Sequence, residues 1–360
     1  MRIAEGRLIA LVSYDVGFEI DLERVGRLWP EGERASAGVS RKVSPRVEYT
    51  LPPLALPLGE RRLVLRGEER TATVAVRLHE FGALTVLFTL PLTGAAWEDL
   101  PELTAWLAAA KPFTADAHRV LDETLARVGE AVTRPTPAAH QLMEDYYAIQ
   151  ITRLEPVLSA AALLEDEREV LARTLHCETL PLSRSEIDEV LATAVTYTPQ
   201  DLVVTDWQVA VVYDDEYEDV LNVLELLNVQ LLELRFLDRM LDGRVNALYG
   251  EVARLPRLYA RGEVAVVREL ALLRLDTAAL RERMVNALKL VGDLYLTKIH
   301  ARTAARFHLE QWQRSVDGKL DLVQRVSDVF GTRAATARAE LLELTIIILI
   351  AVDIVLYFFG

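Results

Sequence analysis

Residues 71–90 read TATVAVRLHEFGALTVLFTL, and this stretch decides the fold class of the first half of the chain. From Thr71 to Leu78 apolar and polar residues alternate, the period-two pattern of a strand with one face in a core. Phe81-Gly82 breaks the pattern where the chain must turn, and Leu84 to Leu90 resumes it, so the pair is predicted to form an antiparallel hairpin. Working outward, Arg7–Val16, Leu63–Arg66, Tyr146–Leu154 and Asp201–Tyr213 carry strand composition, and the last is expected to close the sheet. Pro52, Pro53 and Pro57 are expected to mark an irregular link between strands. Helices are expected at Trp97–Ala110, at Thr114–Val132 with Thr114 as N-cap, and from about Ser159 to His176. A further short helix opens at Ser183, with Glu186 three residues on, the spacing of a capping box. Pro135 and Pro137 break the chain between them. Residues 1–215 therefore read as a layered α+β domain of mixed sheet and helix, with a ferredoxin-like arrangement as one form of it.

From Glu216 the apolar period changes from two to about three and a half. Leu224, Leu227, Leu231, Leu234, Leu241, Val245, Leu248, Val252 and Leu255 step by threes and fours, with Asp238 alone breaking the seam. Pro256 ends this helix and Gly262 opens a second, stepping through Val266, Leu270, Leu273, Thr277, Leu280 and Met284 towards Leu294. A third runs from Leu309 through Trp312, Val316 and Val323 to Phe330. Residues 216–335 are expected to form an antiparallel helical hairpin or bundle. An intermolecular coiled coil is the alternative, since a seam does not say which partner fills it.

Leu344 to Phe359 reads LTIIILIAVDIVLYFF, sixteen residues whose one charge is Asp353. Leu344, Ile346, Ile347, Ile348, Leu349, Ile350, Ile354 and Leu356 leave no polar face for a surface helix. The expectation is a single transmembrane helix over 341–359. The sixteen residues span about 24 Å, short of the ~30 Å hydrocarbon core. Tyr357 would sit at the interface, and Arg333 and Arg338 before the span would hold the body in the cytoplasm at the cell inner membrane. The alternative is a buried C-terminal helix. Asp353 would be costly in lipid, and is read as a protonated or helix-bonded carboxyl rather than part of a pathway.

Composition narrows the functional classes. A net charge of −14 argues against broad nucleic-acid binding, which needs a cationic surface. One cysteine, Cys177, makes no internal disulfide, and no Cys/His group has zinc spacing. The first residues lack the charge arrangement of a signal or transit peptide. No nucleotide-loop, zincin or serine-hydrolase motif occurs, and no catalytic, cofactor or metal residue is assigned. His300 and His308 are too far apart to share a metal unaided, and His176 beside Cys177 is not read as a nucleophile pair. Asp214, Asp215, Glu216, Glu218 and Asp219 cluster before a helix, where acids complement the dipole; a hard cation is the competing use. Lys289, Lys298, Arg302, Arg306 and Arg314 form a basic stripe, read as a solvated face that could also meet lipid headgroups or RNA.

Residues 342–354, LELTIIILIAVDI, resemble the terminal signature of the "required for meiotic nuclear division" family, also called domain of unknown function 155. Phe81-Gly82-Ala83-Leu84 and the run LNVQLLELRFLDRMLDGRV before Leu258-Tyr259 are weaker similarities to the same family. The resemblance implies a membrane-associated, oligomeric protein with no assigned catalysis, related members being linked to mitochondrial translation and ribosome tethering. High Ala, Leu, Arg and Val usage suggests a bacterial source. The combined expectation is a non-enzymatic, tail-anchored homo-oligomeric scaffold or adaptor without cofactor, recruiting an unknown protein partner to the membrane. Ribosome or nucleic-acid contact is unsupported by the net charge. The alternative is divalent-cation transport or sensing through Asp214–Asp219 and Asp353.

Overall fold

The computed structural model describes residues 1–34, 48–49, 52–254, 260–289 and 294–359. The chain divides into two compact units, one of Met1–Phe236 with Arg283–Glu310, the other of Leu237–Glu282 with Gln311–Gly360. The architecture is α+β, a mixed sheet in the first part of the chain and long helices in the last.

In the first unit the strands are β1 (Arg2–Asp15), β2 (Gly17–Ile20), β3 (Glu33–Arg34), β4 (Glu48–Tyr49), β5 (Leu54–Leu65), β6 (Glu68–Leu78), β7 (Ala83–Pro91), β8 (Val132–Pro135), β9 (Met143–Glu155), β10 (Leu202–Thr205), β11 (Val209–Tyr213) and β12 (Leu288–Lys289). Its helices are α1 (Leu22–Leu28), α2 (Leu100–Ala110), α3 (Thr114–Val128), α4 (Ala160–Asp166), α5 (Arg168–His176) and α6 (Arg184–Leu191). Three longer helices follow, α7 (Glu218–Arg254), α8 (Ala260–Ala287) and α10 (Leu309–Phe359), with α9 (Leu294–Arg306) between the last two.

Eight strands form one sheet in the order β10-β11-β9-β1-β7-β6-β5-β3. β11 runs parallel to β9 and the other neighbours are antiparallel. The Thr71–Leu90 hairpin forms as expected, with Val76 opposite Val86 and Leu78 opposite Leu84. Its turn needs glycine: Gly82 has φ +98°, and a Cβ there would lie 1.7 Å from the Gly17 carbonyl oxygen.

Several expectations are corrected. The sheet is larger than one βαββαβ unit, so a ferredoxin-like topology does not describe it. Asp201–Tyr213 is two strands, β10 and β11, because residues 206–208 turn the chain. Pro57 lies within β5, at the register shift between Pro57 and Gly59, where a missing N–H is tolerated. Thr114 is inside α3, and Phe113 stands at the cap without a side-chain bond. Ser159 caps α4, not one long helix, and Ser183 accepts from the Glu186 amide at 3.3 Å to open α6.

Strand alternation divides the sheet into two faces. Leu8, Ala10, Val12 and Tyr14 of β1, Val74, Val76 and Leu78 of β6, Leu84, Val86 and Phe88 of β7, and Tyr147, Ile149 and Ile151 of β9 point into one apolar core with Leu107, Phe113, Val120, Leu121, Leu171 and Leu175 of the α2–α5 layer. The intervening residues, among them Ser13, Asp15, Thr85, Glu144 and Gln150, are also buried. They point to the opposite face, which meets the first half of α7 and α9. Helix, sheet and helix thus stack in three layers.

The second unit holds the end of α7 with most of α8 and α10. Leu237, Leu241, Leu270, Thr277, Leu280, Val316 and Val323 are buried in it among the described residues. Asp238, the break in the heptad seam, is a tie point: its carboxylate accepts from Ser315 Oγ and pairs with Lys319 Nζ, both at 2.7 Å. Arg244 meets Glu269 at 2.8 Å, and Arg274 donates to Gln324 Oε1. Three helices therefore pack where the sequence suggested a hairpin or bundle. Leu255–Tyr259, with Pro256, lie outside the described residues.

Candidate functional site

The face of the sheet beneath α7 carries a buried polar seam. A helix with one apolar stripe would need only leucines there, yet Asn222, Glu225, Asn228 and Glu233 are buried in α7 as well. Asn222, Glu225 and Asn228 each meet a polar residue of the opposing face. Glu225, 1% exposed, accepts from Arg77 and, at 3.1 Å, from His79 Nε2. Arg77 also donates to Asn222 Oδ1 at 2.7 Å. Asn228 Nδ2 donates to Ser13 Oγ at 3.0 Å and to the Glu144 carbonyl at 3.2 Å, and Ser13 and Thr85 share a bond at 2.9 Å. Burial alone would raise the Glu225 carboxyl, but Arg77 and His79 outweigh it and hold the group below the usual glutamate range.

At the β1 end of the seam the charges are not matched. Asp15 is 3% exposed, and its Oδ1 accepts from Thr136 Oγ1 at 2.6 Å. Burial pushes its carboxyl up to about 6, against the bonds from Thr136 and the Gly17 amide. Glu233 is 1% exposed, and its Oε1 has no hydrogen-bond partner. Burial, with Asp15 adding to it, pushes Glu233 well above its ordinary value. Glu144 pairs with Arg235 at 2.5 Å, yet burial still raises it to about 7. Burial without a matching cation favours the protonated form of Asp15 and Glu233. Among the described residues no group of three or more His, Cys, Asp or Glu is placed to hold a metal ion.

Further titratable groups meet in ion pairs near α5 and α9. His176 Nδ1 lies 3.0 Å from Asp206 Oδ2, and Arg306 pairs with Asp206 at 3.2 Å and Glu189 at 3.1 Å. Cys177 beside them has its thiol pushed up to about 12 by burial, the wrong direction for a nucleophile. Two cations of the basic stripe make such contacts: Arg302 donates to the carbonyls of Ala192 and Ala194, and Arg306 is paired. Lys289 lies in β12, which pairs with β4. In the acidic cluster Asp214 is buried and its Oδ1 accepts from the Glu216 amide at 3.1 Å, while Glu218 and Asp219 fill the first turn of α7. This is the dipole-complementing arrangement.

Of the seam residues singled out by periodicity, Leu224, Leu227, Leu231 and Leu234 are buried in the first unit and Leu241 in the second. Val245 is half-buried, and the Leu248 side chain lies outside the described residues. Stepping by threes and fours missed the polar seam, because Asn222, Glu225 and Asn228 follow the same spacing on another side of α7. Glu and Asn inside a helix otherwise so apolar were the available signal.

The apolar tail is the end of α10, a 51-residue helix. Leu342, Leu344, Ile346–Ile350, Val352, Ile354, Leu356 and Tyr357 are between 49% and 84% exposed. The expected membrane span is corrected: among the described residues no helix is long and apolar enough to cross a membrane. The apolar run is short and Asp353 falls within it, so the single-pass inner-membrane location falls with the span.

The family model described as "Uncharacterized protein MJ0711, N-terminal domain" matches residues 5–219, more than half of the chain, and the chain belongs to that family. The curated "Uncharacterized protein MJ0711" of Methanocaldococcus jannaschii is 22% identical over 197 residues, 54% of this chain and 61% of that protein. The match therefore spans less than two thirds of the relative. No solved structure matches the chain. These matches overturn the resemblance to the "required for meiotic nuclear division" family, which rested on a short run of similar aliphatic residues. The matched segment is the α+β unit instead. An archaeal relative also leaves the expected bacterial source unsupported.

Proposed function

We propose that this member of the MJ0711 N-terminal-domain family is a non-enzymatic scaffold that assembles from at least three copies through the apolar end of α10. One observation carries the reading: five successive residues, Ile346 to Ile350, are each more than half exposed. Successive helical residues point about 100° apart, so every side of this segment is apolar and open. Soluble chains rarely leave such a surface uncovered. A two-stranded contact would bury one side only, whereas isoleucines stepping through Ile347, Ile350 and Ile354 suit bundles of three or four. The α+β unit would then be displayed several times over, as a platform for partners. Divalent-cation transport has no supporting ligand cluster among the described residues. Light scattering of the full chain, beside a variant carrying Ile346→Asn, Leu349→Asn and Ile350→Asn, tests the assembly. The wild type should form an oligomer that the variant loses; a wild-type monomer overturns the reading.

A further inference from the structure

We infer that the groove between α8 and α10 in the second unit is a docking site for a basic amphipathic helix of a partner protein. This rests on the scaffold reading and gives it a partner chemistry. Val267, Ala271, Leu275 and Ala278 of α8 form the apolar wall, at spacings of three and four that keep them on one side of the helix. Ala271 and Ala278 are small, and the room they leave contributes to a cavity of about 970 Å³. Asp317, Leu320, Asp321, Gln324, Ser327 and Asp328 of α10 form the opposite wall, again along one side.

The two walls differ in chemistry, and that difference selects the occupant. The α8 wall is apolar, and Leu275 is 66% exposed. The α10 wall carries the carboxylates of Asp317, Asp321 and Asp328, and Arg274, which lines the groove from α8, donates to Gln324, whose Nε2 donates to Asp328 at 2.6 Å. From Val267 to Ala278 the wall runs about 16 Å, three helical turns. An occupant that satisfies both walls has an apolar i, i+4, i+7 stripe for α8 and Lys or Arg beside it for α10. A second copy of this acidic chain, offering the same groove, would set carboxylate against carboxylate. A small ligand would leave most of this open trough wet.

The test uses the full chain and a fluorescein-labelled synthetic helix of about 18 residues, roughly five turns, built from Leu and Lys in an amphipathic repeat. Its counterpart replaces every Lys by Glu. Anisotropy should show saturable binding of the Leu/Lys helix and at least about tenfold weaker binding of the Leu/Glu helix. Leu275→Asp alone, and Asp321→Lys with Asp328→Lys, should each weaken the Leu/Lys helix at least about tenfold. Glu178→Lys with Glu68→Lys, outside the groove, should leave affinity within about twofold. Circular dichroism confirms that each variant is folded. Absent binding, or equal losses from the groove and the control pairs, overturns the docking site. Light scattering on the same samples reports assembly separately, so failure of the groove and failure of the scaffold reading are told apart.

Discussion

His79, the residue that follows β6, and Glu225 of α7, 146 residues apart, meet at 3.1 Å inside the protein, with Arg77 of β6 on the same carboxylate. A sheet strand and a helix from a distant part of the chain are thereby fixed in one register. Leucines would hold the layers together as firmly, but they would let α7 slide by a turn. A carboxylate with two fixed donors does not.

Removing that carboxylate takes from Arg77, 18% exposed, the charged partner it meets inside the protein. Glu225→Gln is expected to destabilise the fold by roughly 3 to 5 kcal/mol, the usual cost of breaking a buried pair from one side. Urea unfolding followed by circular dichroism measures it. A loss below about 1 kcal/mol would place the pair among ordinary surface bridges.

Asp15 and Glu233 set a pH dependence of known sign. Both carboxyls are raised in the folded protein, Asp15 to about 6. The folded state then binds more protons than the unfolded one, so the stabilisation is full below the unfolded value near 4 and is lost as pH rises through the folded values. For Asp15 the swing is on the order of 2 to 3 kcal/mol. Stability profiles from pH 4 to 8 should fall less steeply in Asp15→Asn than in the wild type. An unchanged slope would mean that Asp15 is not the group that titrates.

Gly82 tests the hairpin that decides the fold. Gly82→Ala forces a Cβ onto the Gly17 carbonyl, while Gly59→Ala, also at positive φ, meets open space. The first should cost several times the second, which is expected near 1 kcal/mol. Equal losses in thermal unfolding would show that conformation alone, and not the close approach of the β6–β7 turn to β2, requires the glycine.

Much of the sheet was legible because alternation is a local signal. Thr71–Leu78, Leu84–Leu90 and Tyr146–Leu154 each announce a half-buried strand without reference to the rest of the chain. The buried seam was not legible, because Glu225 or Glu233 in a helix reads as a solvent face until the strand opposite is known. The paired role of Asp238 was hidden similarly: a broken heptad says that a charge sits in the seam, not that Lys319 answers it from 81 residues away. The tail misled for a different reason. Hydropathy measures reluctance to stay in water and does not say whether lipid or other copies of the helix provide the cover.

Asp353 bears on that question. Within a bundle its carboxylate would be taken from water among isoleucines, at a cost. Asp353→Asn should therefore strengthen assembly, shifting the dissociation midpoint in sedimentation to lower protein concentration. Weaker assembly would mean that the carboxylate makes a contact the bundle needs.

The most direct measurement is the mass of the full chain in solution, by light scattering coupled to size exclusion, with and without Ile346→Asn, Leu349→Asn and Ile350→Asn. The wild type should have at least three times the 40.4 kDa chain mass, and the variant 40.4 kDa. A wild-type mass of one chain, or a variant as large as the wild type, would contradict it.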